Sequence, residues 1–110
     1  MAVSDRFITD AKKYIRVTST AFEAEIADLV EAAKADLLLS GIDEEKVYNE
    51  DDPLVKRAIM TYVKAGFGID NPDAEKYQES YKMQKTNLML SSDYSTAETA
   101  VPFTYLTEDE

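Results

Sequence analysis

The stretch from Thr20 to Gly41 limits what this chain can become more than any other. Phe22, Ile26, Leu29, Val30, Ala33, Leu37 and Leu38 recur at the period of an amphipathic α-helix. Asp28, Glu31, Lys34 and Asp36 fall mostly on the other faces. Thr20 is placed to cap the helix, and Glu23, three residues on, to close a capping box. Gly41 ends it, because glycine takes the left-handed C′ conformation without strain, and Ile42 follows to pack back on the last turn.

The remaining segments read as partners for that helix. Ser4 can cap a first helix running to about Tyr14, with Phe7, Ile8, Ala11, Tyr14 and Ile15 on one face. Residues 16–20 break the pattern, and their β-branched residues and hydroxyls suit a connection. Asp43 to Asp52 is an acidic loop with Val47 and Tyr48 as anchors. Asp52-Pro53 is a start signal, the aspartate as N-cap and the proline at the first helical position. Val55, Ala58, Ile59, Tyr62 and Val63 form that helix's buried stripe, and Gly66 and Gly68 stop it. Asn71-Pro72 repeats the start signal for a fourth helix, on which Ala74, Tyr77, Tyr81, Gln84 and Leu88 share a face. Lys82 and Lys85 complement the dipole near its end. From Ser91 the chain turns polar, and Pro102 forbids a further helix.

This predicts an all-α fold: a bundle of about four helices, a loop between helices 2 and 3, and an extended C-terminal arm. The expected organisation is a helical domain over residues 1–94 and an acidic, partly apolar tail over 95–110. A chain of 110 residues suits one domain. It can bury roughly two-thirds of its unfolded surface, enough for one core but not for a deep cofactor pocket besides.

Residue usage removes most chemistry. There is no cysteine and no histidine. Thiol catalysis, thiolate zinc sites and any nucleophile–histidine pair are excluded. Carboxylates remain, but Glu44-Glu45 and Glu50-Asp51-Asp52 fall in a loop or at a helix start. A catalytic pair needs carboxylates held apart in a shielded cleft. Asp43 to Leu54 fails as a calcium loop: Val47 takes a ligand position, Tyr48 stands where glycine belongs, and Leu54 ends it in place of glutamate. Gly66-Phe67-Gly68 lacks the strand, the glycine spacing and the Lys-Ser or Lys-Thr of a phosphate loop. Tyr77 and Tyr81, at helical spacing, suit packing better than base stacking. No enzymatic activity, cofactor or metal is expected.

Twelve basic against 22 acidic residues give a net charge of −10. Such a surface disfavours binding a phosphate backbone or an anionic membrane through a basic face. It still allows a surface that lines a DNA passage without holding the DNA. Runs such as Leu37-Leu38-Leu39 are far short of the roughly 20 residues of a membrane span, and the charged N-terminal segment does not read as a signal peptide.

The least ordinary feature is an apolar island in the polar tail: Ala100, Val101, Pro102, Phe103, Tyr105 and Leu106. It can fold back on its own domain or reach a neighbouring subunit as an arm, and the alternation Val101, Phe103, Tyr105 suits an extended strand. The candidate subunit or partner contacts are therefore Val101, Phe103, Tyr105 and Leu106, with Val47 and Tyr48 from the loop.

Three segments, in this order, carry a family resemblance: AKKYIRV at 11–17, IADLVEAAK at 26–34 and DPLVKRAI at 52–59. Over about residues 5–94 the sequence resembles the small head–tail connector proteins of long-tailed bacteriophages, also called head-completion or adaptor proteins. These motifs are structural, not chemical. The resemblance implies a helical bundle that docks beneath the portal protein as a ring, dodecameric to match it. The ring would extend the DNA channel, help retain packaged DNA and meet the next connector or tail protein. It implies a virion protein at the head–tail interface, made in the host cytoplasm, with DNA passing through the lumen and no membrane partner. It also implies segments that order only on assembly, for which the tail from Ser95 and the loop Asp43 to Asp52 are the candidates. The alternative is a small acidic cytoplasmic regulator that occupies a partner's nucleic-acid site, with the apolar tail as its binding peptide.

Overall fold

The computed structural model describes residues 3–68 and 70–96. Their elements are α1 (Asp5–Ile15), a 3-10 turn (Thr20–Phe22), α2 (Glu23–Leu39), α3 (Glu44–Val47), α4 (Pro53–Gly66) and α5 (Ala74–Leu90). No strand forms among the described residues, and the fold is all-α as expected. The candidate contacts Val101, Phe103, Tyr105 and Leu106 lie outside the described residues.

Ser4 caps α1 by accepting from the backbone N–H of Phe7 at 3.1 Å. The helix closes at Arg16, which sits in the left-handed region at φ 60°. Val17 N–H then reaches back to the Lys12 carbonyl at 2.9 Å, satisfying an end carbonyl. Glycine is the usual residue there, so Arg16 holds this place at a steric cost.

The start of α2 differs from the capping box predicted from Thr20 and Glu23. Ser19 accepts from Ala21 N–H and opens a tight 3-10 turn, and α2 begins at Glu23 without a side-chain cap. Glu23 turns instead to the Lys12 ammonium at 2.9 Å. The turn is held by Phe22, whose ring meets the edge of Phe67 with centroids 5.5 Å apart. Within α2 the predicted stripe is buried at Ile26, Val30, Ala33 and Leu37, while Leu29 and Leu38 are half-buried. Lys34, predicted on an outer face, is only 3% exposed.

The acidic loop contains a helix of its own. Asp43 accepts from Glu45 N–H and starts α3, whose Val47 is 1% exposed and joins the core. Helix α4 begins at Asp52-Pro53 as the sequence predicted. It buries Met60 and Thr61 in addition to Val55, Ala58, Ile59 and Val63. This wide buried face follows from its place, since α1, α2 and α5 all pack against it. Thr61 satisfies its hydroxyl by donating to the Arg57 carbonyl at 2.9 Å.

Helix α5 starts at Ala74, later than Asn71-Pro72 signalled. Asn71 is otherwise engaged: its amide donates to the Lys64 carbonyl at 2.7 Å and its Oδ1 accepts from Asp73 N–H. It therefore joins the end of α4 to the turn before α5. Tyr81 and Leu88 are buried on the predicted face.

Candidate assembly surface

Two ends of the bundle have different chemistry. At one end lie the start of α1, the segment 40–53 and the end of α5. Here Asp52, 7% exposed, accepts from Leu54 N–H and Val55 N–H at the start of α4. The same carboxylate accepts the Tyr94 hydroxyl at 3.1 and 3.2 Å. Burial and this bond raise the Tyr94 pKa above its ordinary value. Asp43 N–H donates to the Tyr94 carbonyl at 2.7 Å, Thr96 N–H donates to Gly41 O at 3.0 Å, and Ile42 and Ser95 form an antiparallel bridge. The Lys46 ammonium lies 4.8 Å from the Tyr94 ring centroid. So the segment 91–96 is tied to the folded body.

Beside it, Lys34 is enclosed by Glu50 at 3.7 Å and by the rings of Phe7 and Tyr48, 5.6 and 5.7 Å from their centroids. Glu50 also accepts from the backbone N–H and the hydroxyl of Ser4. Burial alone would raise the Glu50 pKa, but the Ser4 bonds and Lys34 outweigh it and hold the carboxyl below its ordinary value. Arg6–Asp51 at 2.7 Å and Lys56–Asp10 at 2.7 Å complete the fastening of α1 to the 50–56 segment. The bond to Lys56 lowers the Asp10 pKa against a smaller opposing effect of burial. In the last turn of α2, Asp36 accepts from the Tyr81 hydroxyl at 2.6 Å and from Lys85 at 3.0 Å. Outside these fastenings, Leu39 at 88% and Leu90 at 66% exposure stand free where α2 and α5 finish.

At the opposite end, the last turns of α1 and α4 and the first turn of α5 border an open groove of about 600 Å³. Its walls are Tyr14, Phe67 and Tyr77 with Lys13, Arg16 and Lys64. The Lys64 ammonium lies 5.5 Å from the Tyr14 centroid and 5.4 Å from the Tyr77 centroid, within cation–π range of both. Lys13 and Arg16 make no ion pair with any described residue. The hydroxyl–carboxylate pairs at the first end, Ser4 on Glu50 and Tyr94 on Asp52, join one segment to another, and no described His, Cys, Asp or Glu residues group to hold a metal ion.

Residues 7–95 match the phage connector protein family. The chain belongs to that family. The match spans both ends described above, from Phe7 over the Lys34 ammonium to Ser95 on the Ile42 bridge. No curated protein and no solved structure matches the chain significantly. The family is a structural one of the phage particle, in keeping with a fold built from packing and fastening. No helix of the described residues is long and apolar enough to cross a membrane.

Of the predicted contacts, Val47 lies in the core and Tyr48 is half-buried with its ring against Lys34. The loop that carries them is fastened through Asp43, Glu50, Asp51 and Asp52. Sequence reading missed Lys34 and the groove. The signal for the groove was present in part, since α1 ends on Lys-Lys-Tyr-Ile-Arg, but Lys64 and Tyr77 join it only once α1 and α4 run side by side.

Proposed function

We propose that this connector docks on the portal protein as a ring, dodecameric in step with it, extends the DNA channel and joins head to tail. Family membership across residues 7–95 carries this reading. Two features of the molecule support it. Its ends are unlike: one is fastened and bears exposed leucines, the other is an open cationic groove. Unlike surfaces suit the head-to-tail contact that generates a ring when its rotation closes. The net charge of −10 suits a lumen along which DNA slides, because like charge offers little counterion-release affinity. The partners are then the portal, further copies of this chain and the next connector or tail protein. Tyr48 and the apolar residues Val101, Phe103, Tyr105 and Leu106 are proposed as subunit or partner contacts. Val47 contributes by anchoring the loop from the core.

The test mixes purified protein with tailless, DNA-filled heads of the source phage and sediments them. Co-sedimentation at a fixed copy number per head, with reduced DNA leakage, is expected. Absence of binding to portal-bearing heads would overturn the proposal.

A further inference from the structure

We infer that the groove between the ends of α1 and α4 and the start of α5 receives residues 103–110 of a second copy of this chain. The inference rests on the ring reading above and names the receiving site.

The first observation is charge. Seven of the twelve basic residues make no ion pair with a described residue: Lys13, Arg16, Lys46, Arg57, Lys64, Lys76 and Lys82. Three of them, Lys13, Arg16 and Lys64, line this one groove, on a chain of net charge −10. Asp73 is the one carboxylate in the lining. No basic residue follows Lys85, whereas Glu98, Glu108, Asp109 and Glu110 are acidic. The acidic run 108–110 and the open cationic groove are complementary, and clustered charges of opposite sign select a partner and its orientation.

The second observation is chemical class. Tyr14, Phe67 and Tyr77 give the groove aromatic walls, and the acidic run follows directly on Phe103, Tyr105 and Leu106. An extended segment can place its aromatic side chains against those rings while the carboxylates meet Lys13, Arg16 and Lys64.

The third observation is reach. Thr96 is bonded to Gly41, at the far end of α2 from Phe22 and Phe67. Helix α2 and its junctions set these places about 27 Å apart at 1.5 Å per residue. Seven residues from Thr96 to Phe103 span at most about 24 Å even when fully stretched. Only by running fully stretched along the whole length of the domain does the tail bring Tyr105 and the acidic run to its own groove; an arm held out to the next copy in a ring needs no such path, and the cross-linking below separates the two. Arg16 fits this role too, since it occupies a left-handed position that glycine would hold more comfortably.

The experiment uses the full chain. A fluorescein-labelled peptide of residues 97–110 is titrated with the intact protein and with its Lys13→Glu/Arg16→Glu variant, reading anisotropy. Circular dichroism checks that the variant keeps its helical signal. Saturable binding to the intact protein is expected, at least tenfold weaker for the variant. A peptide carrying Glu108→Lys, Asp109→Lys and Glu110→Lys is expected to recover binding to the variant. Failure of the native peptide to bind, or equal binding to both proteins, would overturn the inference. In parallel, Phe103→p-benzoylphenylalanine in the full chain is irradiated. A dimer-sized adduct mapped to the Tyr14, Phe67 or Tyr77 peptides is expected, and adducts confined to single chains would overturn the assignment to a second copy. Neither assay requires heads. Peptide binding alongside failure to co-sediment with heads would sink the portal reading alone, and the reverse result would sink the groove alone.

Discussion

Where α2 and α5 finish, each acidic side chain of the 50–52 run has a partner: Glu50 has Ser4 and Lys34, Asp51 has Arg6, and Asp52 has the start of α4 and Tyr94. At the other end the cations Lys13 and Arg16 line an open groove and make no ion pair with a described residue. The two ends therefore use charge differently. The first uses it to close the chain on itself, so that α1, the loop and the segment after α5 form one body. The second leaves it available to something outside. A domain of this size has little stability to spare. The open end has fastenings of its own, Lys12 to Glu23 and Asn71 to the Lys64 carbonyl, and still carries an exposed cationic groove.

The difference can be broken at the closed end first. Asp52→Ala removes a helix cap and leaves the Tyr94 hydroxyl without its acceptor. A loss of about 2 to 3 kcal/mol is expected in urea unfolding, combining a cap of about 1 to 2 kcal/mol with an orphaned hydroxyl. A loss below half a kcal/mol would show that this end is not held as described.

Glu50→Gln comes next, at about 2 kcal/mol near neutral pH, because it leaves the Lys34 ammonium buried without a counter-charge. Its pH dependence sharpens the test. The Glu50 carboxyl titrates lower in the folded chain than its ordinary 4.5. Its contribution is therefore complete above that value and is lost as pH falls through the lowered folded value. The gap between wild type and Glu50→Gln should narrow below about pH 4. A gap that widens in acid would contradict the assignment.

At the open end the expected effects on stability are small and of the other sign. Arg16→Gly relieves a left-handed non-glycine residue and should stabilise by about 1 kcal/mol in thermal melts. Lys13→Glu/Arg16→Glu should change stability by less than about 0.5 kcal/mol, as surface substitutions do. Were that double variant to unfold the chain, the groove would belong to the fold and the contrast between the ends would fail.

Much of this was legible in the sequence because the strongest signals are local. Ser4, Asp52-Pro53 and Gly41 mark helix ends through bonds to residues two to four positions away. The stripe from Ile26 to Leu37 needs only the helical period. What was missed depends on distant partners. Lys34 is buried because Glu50, Phe7 and Tyr48 converge on it from three other segments, and no pattern around Lys34 announces that. The capping box is replaced by a 3-10 turn that Ser19 opens, and Glu23 pairs with Lys12, 11 residues away, at 2.9 Å. Helix α3 is four residues long, too short for any period to show. The cationic groove is assembled from the ends of three helices, and only its α1 portion is contiguous in sequence.

The most direct test of the account is to image heads saturated with the protein by electron cryo-microscopy, viewed along the portal axis. The account predicts a closed ring coaxial with the portal, its channel open and each copy's Lys13–Arg16 groove turned toward the next copy. No added density at the portal vertex, or density in isolated copies that never close, would contradict it.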